Sequence, residues 1–150
     1  MTRQPSAIDQ LCEDWVQTIA KMSPSFSTYA GIPGGEDKMD DSSPEAQAEW
    51  NRLERETLAK LEKLTPVDKV DEVTKDALKS KLELGIEQYD AGLYRRNLDV
   101  IASPAQGIRD IFDLSPTATE QDWENLNRRM HAVKDAVHGY IASLREGIAH

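Results

Sequence analysis

Apolar residues recur every three or four positions along most of this chain, and this periodicity restricts its fold more than any other feature. Such spacing places apolar side chains on one face of an α-helix, whereas a half-buried strand needs apolar residues at every second position. No stretch of the chain shows that alternation. The sequence therefore predicts an all-α protein, an antiparallel helical bundle of about four long helices plus one short helix.

Proline and capping residues set the expected helix boundaries. Serine, threonine and aspartate accept hydrogen bonds from first-turn N–H groups, and proline is favoured at the first helical position. These signals predict helices over residues 6–22, 44–64, 66–94, 104–113 and 119–150. Residues 23–43 are expected to form a turn and an exposed acidic loop, and an irregular connector is expected around residues 95–105. Gly85 and Gly92 fall inside the third predicted helix, where we expect them to permit a close helix crossing.

The last predicted helix has the most regular apolar pattern. Its predicted seam comprises Trp123, Leu126, Met130, Val133, Val137, Tyr140, Leu144 and Ile148. That spacing is typical of a long bundle helix. The pattern continues to His150 without a glycine or proline stop. We therefore expect residues 1–150 to be a single helical region, the N-terminal part of a larger helical protein that packs on the remainder of its polypeptide or self-associates.

Charge and terminal sequence narrow the expected partners and location. The chain carries 27 acidic against 18 basic residues, a net charge of −9, so nucleic acid is not an expected partner. The first twenty residues contain acids and no long apolar run, so a membrane is not expected either and a cytoplasmic location is favoured. Cys12 is the only cysteine and lies on an apolar stripe, which favours a buried, inert thiol.

Candidate metal ligands are few. His131, Asp135 and His138 share one helical face, but they do not form the H-E-x-x-H motif of zinc peptidases, and a solvated polar face is the favoured interpretation. The acidic residues between Glu36 and Asp41 lack the glycine and terminal acid of an EF-hand loop. We therefore assign no metal ligand and no catalytic residue in this chain, and the role of the histidine pair stays open. The three tryptophans, Trp15, Trp50 and Trp123, are expected in the core.

The order of these segments resembles a known family. The resemblance rests on Ser23-Pro24, Gly31, an acidic M-D-D loop, Thr65-Pro66, the segment Ser103-Pro104-Ala105-Gln106-Gly107 and the stretch Leu144-Arg145-Glu146-Gly147-Ile148. Together they are similar to the N-terminal region of the bacterial domain-of-unknown-function 885 family.

The resemblance implies a longer helical protein similar to zinc-dependent metallopeptidases, with an H-E-x-x-H-like helix beyond this chain. Zinc and a peptide substrate are then expected for the full-length protein, with no cofactor in this chain, which would be a helical scaffold or lid. In that setting the connector is the segment we expect nearest the cleft, because its backbone polar groups are not used by a helix. The expected cleft-lining residues are Asn97, Asp99, Ser103 and Gln106.

A second hypothesis remains at the level of sequence. The chain could be a self-contained, non-catalytic helical bundle that acts as a protein-interaction module. An initiating Met1 and a length sufficient for a core permit this, while the resemblance and the missing helix stop favour the first hypothesis.

Overall fold

The computed structural model describes residues 3–149, and within that range every regular element is helical. The all-α prediction is confirmed. The helices are α1 (Ala7–Met22), α2 (Pro24–Ala30), α3 (Pro44–Glu62), α4 (Lys69–Asp90), α5 (Pro104–Leu114) and α6 (Glu120–Ala149), with a 3₁₀ helix at Leu93–Arg96. None of the described helices is long and apolar enough to cross a membrane.

The apolar core joins α1, α3 and α4. Its buried side chains are Ile8, Trp15, Leu61 and Leu82. Helices α3 and α4 run antiparallel, since Arg55 is paired with Asp90 at one end and Lys75 donates to the carbonyl of Leu64 at the other. The three helices therefore form one packed unit, and their amphipathic faces follow the predicted periodicity.

Gly85 lies at the contact between α4 and α3, where its lack of a side chain makes room for a residue of α3. A Cβ atom built at this position would overlap the carboxylate of Glu54. Gly92 has a different role from the one predicted. Its φ of +68° is left-handed, and it follows the last turn of α4 and ends that helix.

Two further helix boundaries differ from the prediction. The segment 23–43 is not wholly a loop, because Ser23 caps α2 through its hydroxyl and Pro24 occupies the first turn. The start predicted at Thr65-Pro66 was wrong. Asp68 is the N-cap of α4, and its carboxylate accepts a hydrogen bond from the N–H of Asp71.

Helix α6 packs through a face that is rotated from the predicted seam. Its buried residues are Arg129, Ala136 and Ser143, together with Leu126 and Tyr140 of the predicted seam. The predicted Trp123 and Met130 are instead 61% and 63% exposed, so the expectation of a core position for Trp123 was wrong. At Gly147 the α6 backbone lies too close to neighbouring chain for a side chain, because a Cβ there would overlap the carbonyl of Arg95.

Arg129 connects α6 to three other segments. Its guanidinium donates to the carbonyl oxygens of Lys38 and Gly35 and to the hydroxyls of Thr28 and Ser115, at 2.6–3.0 Å. The side chain is 0% exposed. The loop expected to be exposed is therefore held against α6 by this residue.

The acids of that loop are also held by local hydrogen bonds. Asp40 accepts from the backbone N–H of Ser25 and the hydroxyl of Ser23, and Asp41 accepts from the N–H of Ser43. These bonds account for the half-buried state of Asp40.

The antiparallel bundle of four long helices is not confirmed. Helix α6 makes its main contacts with α5 and the 3₁₀ helix and a smaller contact with α3. The apolar core includes no residue of α6. The predicted Thr119–Asp122 capping box is present at the start of α6, as is the Ser6–Asp9 box of α1.

Candidate ligand-binding cleft

A cleft of about 550 Å³ opens between α3 and α4 and is completed by α1 and the segment that follows α4. We call it the α3–α4 cleft. It is lined by Trp15, Ile19, Gln47, Trp50, Asn51, Glu54, Lys81, Gly85, Gln88, Tyr89, Leu93, Tyr94, Arg96 and Asn97. Apolar walls with a few buried polar groups are typical of small-molecule sites.

Glu54 is the buried acid of the cleft, with 6% of its surface exposed. Its position follows from Gly85, because only a residue without a side chain on α4 leaves room for this carboxylate. The indole Nε1 of Trp50 donates to Glu54 Oε1 at 3.0 Å. Desolvation raises the pKa of Glu54, and the Trp50 hydrogen bond and the charges of Lys81 and Arg55 act in the opposite direction.

Asn51 lies one helical turn before Glu54 on the same face of α3 and is also 6% exposed. Its Oδ1 accepts a hydrogen bond from Arg55 Nε at 2.9 Å. Its Nδ2 has no hydrogen-bond partner among the described residues. Burying such a donor unpaired costs about 1–3 kcal/mol, so a cleft ligand or water that accepts its hydrogen would stabilise the site.

Lys81 and Tyr89 project from the face of α4 that includes Gly85, because they lie four residues to either side of it. Lys81 acts on Glu54 through its charge and donates no hydrogen bond to that carboxylate. Opposite charges thus line one cleft without a direct contact between them.

Aromatic rings supply the apolar walls. Trp15 and Trp50 meet edge to face, with centroids 6.3 Å apart and an interplanar angle of 68°. Tyr89 and Tyr94 are stacked at 5.2 Å with an interplanar angle of 9°. Paired rings hold each other in fixed orientations, so the walls have a defined shape.

The structure separates the four residues predicted to line a cleft. Asn97 lies at the α3–α4 cleft and its carbonyl accepts a hydrogen bond from Tyr140. Asp99 folds the connector by accepting from the N–H groups of Ile101 and Ala102. Ser103 and Gln106 form a capping box at the start of α5. A substrate contact by any of the four stays a prediction.

The other singled-out residues lie away from the cleft. His131, Asp135 and His138 are exposed on α6. Residues 3–149 contain no group of three potential metal ligands arranged to hold an ion. Cys12 is half-buried at the edge of the core, and burial raises the pKa of its thiol.

Sequence reasoning missed Asn51, Glu54 and Lys81 as site residues, since each looks like an ordinary polar position of a surface helix. One signal was available. Gly85 interrupts a helix at a cost of about 1 kcal/mol relative to alanine, which implies a large group opposite it. Trp50 and Glu54 are four residues apart, the spacing at which an indole N–H can reach a carboxylate.

Comparison with known proteins identifies one related family. A family whose description is "Bacterial protein of unknown function (DUF885)" matches residues 24–150, which is most of the chain. No curated protein sequence matches significantly.

Proposed function

This chain belongs to the DUF885 family of bacterial proteins, and on that premise we propose that it is the N-terminal helical scaffold of a larger enzyme resembling zinc-dependent metallopeptidases. In this proposal the catalytic H-E-x-x-H-like helix and its zinc ligands lie outside these residues. The chain contributes the α3–α4 cleft as part of the substrate-binding surface, in a cytoplasmic protein that acts on peptides.

The observation that carries the proposal is the composition of the cleft. It combines a buried carboxylate, a buried amide nitrogen without a partner and ordered aromatic walls. Such groups can bind and orient a substrate. They do not by themselves form a nucleophile with its base or a metal centre, so the chemical step is assigned to another part of the protein.

An exposed apolar surface on α6 is a second support. Trp123, Met130, Ile141 and Ile148 are 61%, 63%, 36% and 85% exposed, although three of the four belong to the regular apolar pattern of that helix. Large apolar side chains left exposed along one helix fit a contact with further polypeptide. We propose that the remainder of the enzyme packs here.

The proposal is tested by sequencing the reading frame downstream of His150 and by assaying the longer polypeptide for peptide cleavage. The proposal expects an H-E-x-x-H-like helix to be encoded there, and zinc-dependent cleavage of a mixed peptide library by the longer polypeptide. The 150-residue chain should cleave nothing. A stop codon directly after His150, or cleavage by the 150-residue chain alone, would contradict the proposal.

A further inference from the structure

The charges of the α3–α4 cleft lie on opposite walls. Glu54 projects from α3 against Gly85 of α4, and Lys81 lies one turn before that glycine. Arg55 and Glu62 illustrate how α3 and α4 otherwise pair their polar groups: Arg55 bonds to Asp90, and the carbonyl of Glu62 accepts from Lys75. Lys81 instead makes no ion pair with Glu54, and the two charges face one cavity.

The cleft also contains polar groups whose hydrogen-bonding capacity is not fully used. Within residues 3–149, Glu54 receives one hydrogen bond, from Trp50, although a carboxylate can accept several. Asn51 Nδ2 has a hydrogen to donate and no acceptor among the described residues. The cleft therefore lacks a donor beside Glu54 and an acceptor beside Asn51 and Lys81.

We propose that the α3–α4 cleft binds a zwitterionic small molecule of the α-amino acid type. The ligand's ammonium group lies against Glu54, its carboxylate accepts from Asn51 Nδ2 and Lys81, and an apolar side chain packs on Trp50 and Tyr89. This inference rests on the proposed function in one respect, namely that this cleft is the binding surface.

Ligands with a single charge fit less well. A cation would be attracted by Glu54 but repelled by Lys81 and Arg96, which line the same cleft. An anion would be attracted by those two residues but repelled by the buried Glu54 carboxylate. A ligand with both charges satisfies both walls, and such complementarity determines specificity. The volume of about 550 Å³ is in the range of small-molecule sites.

The probe is L-phenylalanine, titrated into the 150-residue chain by calorimetry. Phenethylamine lacks the carboxylate and 3-phenylpropionate lacks the ammonium group, so each removes one proposed contact without altering the protein. We expect L-phenylalanine to bind at least about tenfold more tightly than either analogue. Equal affinity for all three, or no saturable binding of L-phenylalanine, would overturn the proposal.

Two variants assign the contacts. Glu54→Gln should weaken the binding of L-phenylalanine and phenethylamine but not that of 3-phenylpropionate, which loses an unfavourable like charge. Lys81→Met should weaken the binding of L-phenylalanine and 3-phenylpropionate but not that of phenethylamine, for the same reason. The matched controls are Glu56→Gln, which removes an exposed partner of Arg52, and Lys79→Met, which removes an exposed partner of Glu83. Equal weakening by a control and its cleft counterpart would overturn the assignment.

The outcome is separable from that of the proposed function. Failure of L-phenylalanine to bind, with zinc-dependent peptide cleavage by the longer polypeptide, would remove the ligand assignment and leave the scaffold proposal standing. Charge-dependent binding of L-phenylalanine, together with a stop codon after His150, would remove the scaffold proposal and leave the ligand assignment standing.

Discussion

Replacing Arg129 tests whether one buried cation holds the loop before α3 against α6. The residue is fully buried and bonds to four oxygen atoms, two of them carbonyl oxygens of that loop. Desolvation is the main influence on the pKa of Arg129 and lowers it, while the charges of nearby acidic residues act in the opposite direction. The informative change is Arg129→Met, which keeps a long side chain and removes every donor.

The expected loss follows from two opposing effects. Hydrogen bonds from a charged donor contribute about 1.5–3 kcal/mol each. Burying the guanidinium costs several kcal/mol, which the methionine variant recovers. We therefore expect Arg129→Met to lower the free energy of unfolding by about 2–4 kcal/mol. Arg129→Lys keeps the charge but lacks the planar fork that reaches several acceptors, so it should recover less than half of that loss.

Urea denaturation followed by circular dichroism measures these differences. The matched control is Arg128→Met, since Arg128 is the preceding residue, its side chain is 52% exposed, and it bonds to Glu124 and Asn125 of the same helix. We expect the control to change stability by less than about 0.5 kcal/mol. The reasoning is refuted if Arg129→Met costs no more than Arg128→Met, or if Arg129→Lys is as stable as the wild type.

Three further predictions concern the core and the cleft. Gly85→Ala should lower the melting temperature because the new Cβ overlaps Glu54. Gly107→Ala is the matched control, and it should raise stability by about 0.5–1 kcal/mol because the space around Gly107 is open. A stabilising Gly85→Ala would contradict the close contact of α3 with α4. Folding raises the pKa of Glu54, so the protonated side chain contributes to the free energy of unfolding at low pH. That contribution is lost as the pH rises above about 4.5. Glu54→Gln should therefore gain stability relative to wild type between pH 4 and pH 8 in urea titrations, and a constant difference would count against the buried carboxylate. Trp15→Ala should cost about 3–5 kcal/mol and Trp123→Ala less than about 0.5 kcal/mol, and acrylamide should quench the fluorescence of Trp123 most strongly.

Helix positions could be predicted wherever a local signal determined them. Ser6, Ser43 and Thr119 cap their helices through bonds to residues two or three positions away, and such bonds can be recognised from sequence spacing. Helix α2 was missed although Ser23-Pro24 repeats the Ser43-Pro44 signal. Its short length and the following glycines favoured a loop.

The buried face of α6 could not be predicted, because it depends on contacts distant in sequence. The periodicity selected Met130 and Trp123, while the helix buries Arg129, two of whose four partners lie more than 90 residues away in the loop before α3. The cleft was missed for a similar reason. Asn51 and Glu54 become a site only when Gly85 brings α4 against them.

The position of α6 outside the apolar core has a consequence for the order in which the protein opens. This helix buries three apolar residues, Leu126, Ala136 and Tyr140, and the core cluster of α1, α3 and α4 includes no residue of it. Regions with few buried apolar contacts open at lower free energy than the global transition. Amide protons of α6 should therefore exchange with solvent through a sub-global opening, while those at the centres of α3 and α4 exchange only when the whole molecule unfolds.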